Sequence, residues 1–129
     1  MASIFSKIVS GEIPSHKIAE NEEFLAFLDV FPIAKGHTLV IPKKEVDYIF
    51  DLDDDTYSRL FLFAKSLVPA LQKTVHCLRI GISVIGLEVP HVHIHLIPLN
   101  SMSDADFSKK IKISQDELAE LALDIRQKI

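Results

Sequence analysis

Only one of the 129 residues, Cys77, is a cysteine, which excludes an internal disulfide framework. Positive charge is also in short supply. Fourteen lysines and arginines stand against 18 acidic residues for a net charge of −4, with the two signs mixed along the chain. That pattern carries no electrostatic footprint for nucleic acid or an anionic membrane, so an anionic small ligand would have to be attracted locally. No stretch approaches the roughly 20 apolar residues of a membrane span. The opening "MASIFSKIVSGEIP" holds no long apolar run of the kind a signal peptide needs, and no repeat or low-complexity segment interrupts the chain. What remains is one domain over residues 1–129, in a reducing cytoplasm, with enough apolar residues (48%) for a real core.

The apolar spacing predicts an α+β fold. "SIFSKIVSGE" reads as a short helical opening that stops near Gly11 and Pro14. "HKIAE", a turn at "NEE" and "FLAFLDV" form a hairpin, and "GHTLVIP" supplies a third strand after the breakers Pro32 and Gly36. The period then lengthens from two to about 3.6. After a cap at Asp53, residues Leu60, Phe63, Ala64, Leu67, Leu71 and Val75 lie on one helical face, with Pro69 expected to kink that helix or end it early. "CLRIGISVI" gives a fourth strand, and "PHVHIHLIP", from Pro90 to Pro98, a fifth. Short joints favour antiparallel neighbours, hence a mostly antiparallel five-stranded sheet with one long packing helix. A C-terminal helix follows the capping-box sequence "SQDE", with Leu118, Leu121, Ala122 and Ile125 as its apolar stripe.

The fifth strand carries the chemistry. Alternation puts His91, His93 and His95 on one face, and three buried imidazoles need partners, which makes them expensive as filling. A zinc reading fails on distance for all three together. Their ends lie roughly 13 Å apart along a strand, while each ligand nitrogen must come within about 2.1 Å of the ion. Two of them with His16, His37, His76 or a carboxylate could still ligate, but no cysteine pair and no helical H-E-x-x-H accompanies them. Phosphoryl chemistry suits a metal-free row better, since a neutral imidazole can attack phosphorus while its neighbours donate hydrogen bonds to oxygens gaining charge. Asp29 stands out independently. It alternates onto the face of Leu25 and Phe27, where a carboxylate is unwelcome without donors, and a ribose diol offers two.

These residues resemble the histidine-triad (HIT) family of nucleotide-binding proteins. His91, His93 and His95 followed by "LIP" resemble its signature, while "SIFSKIVSGEIP" and "FLAFLDVFPIAKGHTLVIPKK" resemble its opening and central segments. The resemblance implies a homodimer whose sheets join edge to edge, with a purine nucleotide bound on the face opposite the main helix. It implies hydrolysis of a nucleoside phosphoramidate or a similar mononucleotide derivative through a covalent nucleotidyl-histidine. In that scheme His93 is the nucleophile, His95 donates to a phosphate oxygen, and His91 orients the nucleophile with His37 hydrogen-bonded behind it. Asp29 takes the ribose, while Ile4, Phe5, Ile8, Ile13, Phe27 and Val30 line the base pocket. Two other readings stay open: a nucleotide-binding or protein-interaction module with little turnover, and a dinucleoside polyphosphate hydrolase.

Three departures bear on what carries over. Ser3 and Ser6 stand where many members have a zinc-binding C-x-x-C, and Glu45 where such members have histidine; hydroxyls and a lone carboxylate are poor ligands for zinc, so no metal and no other cofactor is expected. "VIGLEVP" is shorter than the family's usual loop, leaving Ser83 as the nearest polar counterpart of its asparagine. Glu88 occupies the place of a serine or threonine that meets the phosphate and leaving group. Lys43 and Lys44 read as a solvated face.

Overall fold

The computed structural model describes residues 2–129. Five strands form one sheet in the order β1-β2-β3-β5-β4, with every neighbouring pair antiparallel: β1 (Lys17–Glu20), β2 (Phe24–Leu28), β3 (Thr38–Pro42), β4 (Arg79–Ser83) and β5 (Ile94–Leu99). The helices are α1 (Ile4–Val9), α2 (Asp54–Thr74) and α3 (Gln115–Arg126). Both helix starts predicted from local sequence are present. The Asp53 side chain accepts from the Thr56 N–H, and the Ser114 side chain from the Glu117 N–H, each filling an acceptor role that the helix lacks at its N-terminus.

Alternation divides the two faces of the sheet. Phe24, Ala26 and Leu28 of β2, Val40 of β3, and Ile94 and Leu96 of β5 join Leu60, Ala64, Leu67 and Leu71 of α2 and the Leu118, Leu121, Ala122 and Ile125 stripe of α3 in the main core. The intervening residues Leu25 and Phe27, with Leu39 and Ile41, pack on the other face against Phe5 and Ile8 of α1. β2 and β3 are therefore buried on both sides, which is why they read as nearly continuous apolar runs.

Two local expectations are corrected. Pro69 neither ends α2 nor shortens it, since the helix continues to Thr74. Pro69 and Lys65 lie on the exposed face, so the carbonyl that loses its donor is open to water, while Leu67, Ala70 and Leu71 stay buried on the core side. The fifth strand starts at Ile94, not at Pro90. Upstream the chain leaves the ladder: the Val92 N–H donates to the Val46 carbonyl at 2.7 Å, and the Pro42 carbonyl is taken by the His91 ring at 2.7 Å. At its other end β5 runs through Pro98, which lies beyond the last β3 pairing at Thr38↔Leu96 and so needs no N–H on that side. Among the described residues no helix is long and apolar enough to cross a membrane.

Candidate functional site

A cavity of about 700 Å³ opens on the face opposite α2, within the size range of small-molecule sites. The β2–β3–β5–β4 register sets Phe27 opposite Leu39, Leu39 opposite His95, and His95 opposite Ser83. α1 lies over this row because its apolar side, Phe5 and Ile8, has only that face left to cover. The Phe5 ring stands edge-on to Phe27 at 5.7 Å between centroids and to His93 at 5.0 Å. All six apolar residues singled out in the sequence, Ile4, Phe5, Ile8, Ile13, Phe27 and Val30, line the cavity, as do Asp29, Glu88, His93 and His95. Ser83 does not line it, although it is paired with His95.

The three histidines lie on the α1 side of the sheet, but not all of them reach the cavity. His91 is completely buried behind the cavity, and only His93 and His95 line it. The alternation extends upstream of the ladder: Val92 joins Ile94 and Leu96 in the main core, while His91 and His93 both face the Phe5 ring. Fixed backbone groups decide the proton on each ring. A carbonyl only accepts, so His91 Nε2 donates to the Pro42 oxygen, leaving Nδ1 to accept from the Ser3 hydroxyl at 2.7 Å. His93 Nδ1 donates to the His91 carbonyl at 2.7 Å, which makes Nε2 the lone-pair nitrogen of the neutral ring. On the other side of the site, the Ile33 N–H donates to His37 Nδ1 at 3.2 Å. His37 Nε2 then donates to His95 Nδ1 at 2.8 Å, and His95 Nε2 is left as an N–H donor. The cavity wall thus presents one imidazole lone pair and one imidazole N–H side by side, their ring centroids 4.9 Å apart.

His37 therefore stands behind His95, not behind His91, and it is the His91 backbone carbonyl rather than its ring that holds His93. Burial keeps these rings neutral. It lowers His37 to about 4, helped by the positive charge of Lys110, and lowers His95 to about 3, helped by the repulsion a proton there would meet from any charge on His37 or His93. Burial also lowers His91, against the opposing pull of the Pro42 carbonyl and Glu45. Asp29 turns one carboxylate oxygen to the Phe31 N–H at 2.8 Å, while the other lies 3.7 Å from His37 Nε2.

Neither cluster of ligand-type side chains fits a zinc ion. Ser3, Ser6, Glu45 and His91 come together, but as a closed hydrogen-bonded clasp. Glu45 accepts from the Ser3 N–H at 2.6 Å and the Ser6 hydroxyl at 2.7 Å, and the Ser3 oxygen both caps α1 at the Ser6 N–H and donates to His91. Those hydrogen bonds lower Glu45 to about 2. The lone pair that His91 would offer a metal already accepts a proton, and hydroxyls are weak ligands for zinc. Asp29, His37 and His95 also bring ligand atoms within 4.8 Å of one another. The Ile33 N–H, however, requires the proton on His37 Nε2, the nitrogen that would have to bind the ion.

Several residues absent from the sequence-based set also line the cavity, among them Phe107 and Lys110. Phe107 stands edge-on to His95 at 4.9 Å and to His37 at 6.1 Å. The signal for it in the sequence is slight, a lone aromatic within the polar run "SDADFSKK". Lys43, read as solvated, pairs with Glu20 at 2.8 Å, away from the cavity.

Comparison with known proteins agrees with this geometry. A family model described as "HIT domain" matches residues 10–102. The chain is 36% identical to an adenosine 5'-monophosphoramidase of Saccharomyces cerevisiae, over 93% of this chain and 83% of the relative. Among solved structures, a Hit-like protein from Bartonella henselae superposes with a TM-score of 0.86 at 30% identity, covering 98% of this chain and 96% of the other. A zinc-bound histidine triad family protein from Mycobacterium smegmatis superposes with a TM-score of 0.83 at 28% identity, covering 98% and 92%. The triad, the fold that presents it and the matched segment together make this chain a member of the HIT family.

Proposed function

We propose that the protein hydrolyses purine nucleoside phosphoramidates or related mononucleotide derivatives through a covalent nucleotidyl-histidine intermediate. The observation that carries this reading is the proton pattern at the cavity wall: His93 offers a lone pair beside the N–H of His95. His93 Nε2 attacks the α-phosphorus, and the bond from phosphorus to the leaving nitrogen breaks as that nitrogen, having taken a proton from solvent, departs as the amine. His95 Nε2–H donates to a non-bridging oxygen as charge builds on it, and its depressed pKa keeps this donor neutral before the reaction. Water then attacks phosphorus and gives up a proton to solvent, breaking the bond from phosphorus to His93 Nε2, which releases the nucleoside monophosphate and restores the imidazole. The name borne by the yeast relative supports the substrate class. Asp29 takes the ribose hydroxyls with its second oxygen, and Phe5 and Phe27 hold the base.

The working unit in this reading is a homodimer, because β4 is an edge strand that carries the exposed Ile82, and pairing two sheets removes one exposed edge from each. Sedimentation should give twice the chain mass, and a concentration-independent monomer would refute the dimer. For the chemistry, His93→Ala should abolish turnover of a fluorogenic adenosine phosphoramidate while adenosine monophosphate still binds. Intact-mass analysis of the wild type during turnover should show a nucleotidyl adduct. Near-normal rates in His93→Ala would overturn the covalent mechanism.

A further inference from the structure

With a net charge of −4, this chain must attract an anionic ligand by a local charge. Of the residues that line the cavity, Lys110 is the only lysine or arginine, and among the described residues it forms no ion pair. It also lies outside residues 10–102, the segment matched by the family model. We propose that Lys110 binds the phosphate of the nucleotide, so that a residue of the C-terminal segment supplies the cation that residues 10–102 do not bring to the cavity. This inference rests on the nucleotide reading of the same cavity.

The segment carrying Lys110 is built to hold it there. Asp106 accepts from both the backbone N–H and the hydroxyl of Ser108 at 2.9 and 2.6 Å, and the Lys109 N–H donates to the Asp106 carbonyl at 3.1 Å. The Ile111 N–H donates to the Pro32 carbonyl at 2.9 Å, tying the residue after Lys110 to the loop whose Ile33 N–H sets the His37 proton. Phe107 then packs against His95, and Lys110 Nζ lies 5.8 Å from the centre of the Phe107 ring. The wall therefore runs Phe5, His93, His95, Phe107, Lys110, apolar at the α1 end and cationic beyond the imidazole N–H. A nucleotide has the same polarity, with an apolar base at one end and an anionic phosphate at the other. The positive charge of Lys110 also registers on its neighbours, contributing to the lowered pKa of both His37 and His95.

The test compares a charged ligand with its uncharged core. Calorimetric titration of adenosine monophosphate and of adenosine against the full chain should show a higher affinity for the monophosphate, and the difference should shrink as salt is added. Lys110→Gln keeps most of the stem and removes the charge; it should weaken the monophosphate by about fivefold or more while leaving adenosine unchanged. Lys110→Arg should restore most of the loss, and Lys109→Ala, on a neighbour that does not line the cavity, should change neither ligand. If Lys110→Gln weakens both ligands equally, the residue only supports the segment, and the proposal is wrong. An unaltered monophosphate affinity also overturns it, with the nucleotide reading intact. If the wild type binds neither ligand, both readings fall together.

Discussion

Acid should destabilise this protein before its carboxylates begin to titrate, because two buried imidazoles have no room for a second proton. His37 is fully buried and His95 nearly so. His37 Nδ1 faces the Ile33 N–H, and His95 Nδ1 faces the proton on His37 Nε2, so protonating either ring breaks a bond and leaves a charge in an apolar setting. Burial holds the native His37 at about 4, whereas an unfolded chain binds that proton near pH 6.5. The unfolded state thus holds more protons throughout this window, and stability falls as pH falls. The contribution is complete above the unfolded value. At about 1.4 kcal/mol for each pH unit between the two values, His37 alone forfeits roughly 3 kcal/mol on going from pH 6.5 to 4. His95, lowered in the same direction, adds to it. Against a typical stability of about 5–15 kcal/mol that is a large fraction. Urea unfolding at fixed protein concentration and ionic strength, in steps from pH 7.5 to 4.5, should show the midpoint dropping steadily below pH 6.5 at unchanged slope. Imidazole carbon shifts should show the His37 and His95 rings still neutral at pH 5. A midpoint that is level from pH 7 to 5, or rings that all titrate near 6.5, would refute the neutral His37–His95 pair.

Ser3→Ala should cost about 2 kcal/mol or more in urea unfolding, about 1 from the lost cap on α1 and the rest from leaving the buried His91 Nδ1 without a donor; a loss below about 0.5 kcal/mol would mean that the clasp does not hold α1. Glu88 is exposed and lines the cavity, so Glu88→Gln should lower kcat/KM more for phosphoramidates with a cationic amine leaving group than for neutral ones, and alter the pH profile. Equal effects on the pair, at an unchanged profile, would leave Glu88 without a role in the leaving group's fate.

Elements whose cause lies within a few residues are legible in the sequence alone. The short apolar runs Phe24–Leu28 and Thr38–Pro42, the 3.6-residue stripe of α2 and the caps Asp53 and Ser114 all act through immediate neighbours along the chain. The histidine stretch shows where such reasoning stops. "PHVHIHLIP" has strand spacing throughout, yet His91 to His93 lie outside the ladder because Val46 and the His91 ring itself occupy the groups a strand would have used. Pro69 fails as a helix terminator for a related reason. What a lost hydrogen bond costs depends on whether its carbonyl meets water, and that depends on how α2 lies on the sheet.

The amino-acid sequence by itself determined the order of elements through residue type and short spacing, and the resemblance carried by its motifs supplied the family and six of the apolar residues around the cavity. Tertiary structure alone decided the chemistry of each ring. His91 meets Ser3 across 88 residues of chain, and His37 meets His95 across 58. An imidazole looks the same in the sequence whichever nitrogen carries its proton. The proton is set by backbone groups at Pro42, His91 and Ile33, which are present in every residue and reveal their partners only when the chain is folded. Lys110 illustrates the same limit for charge: among 14 basic residues, only the fold selects the one that lines the cavity.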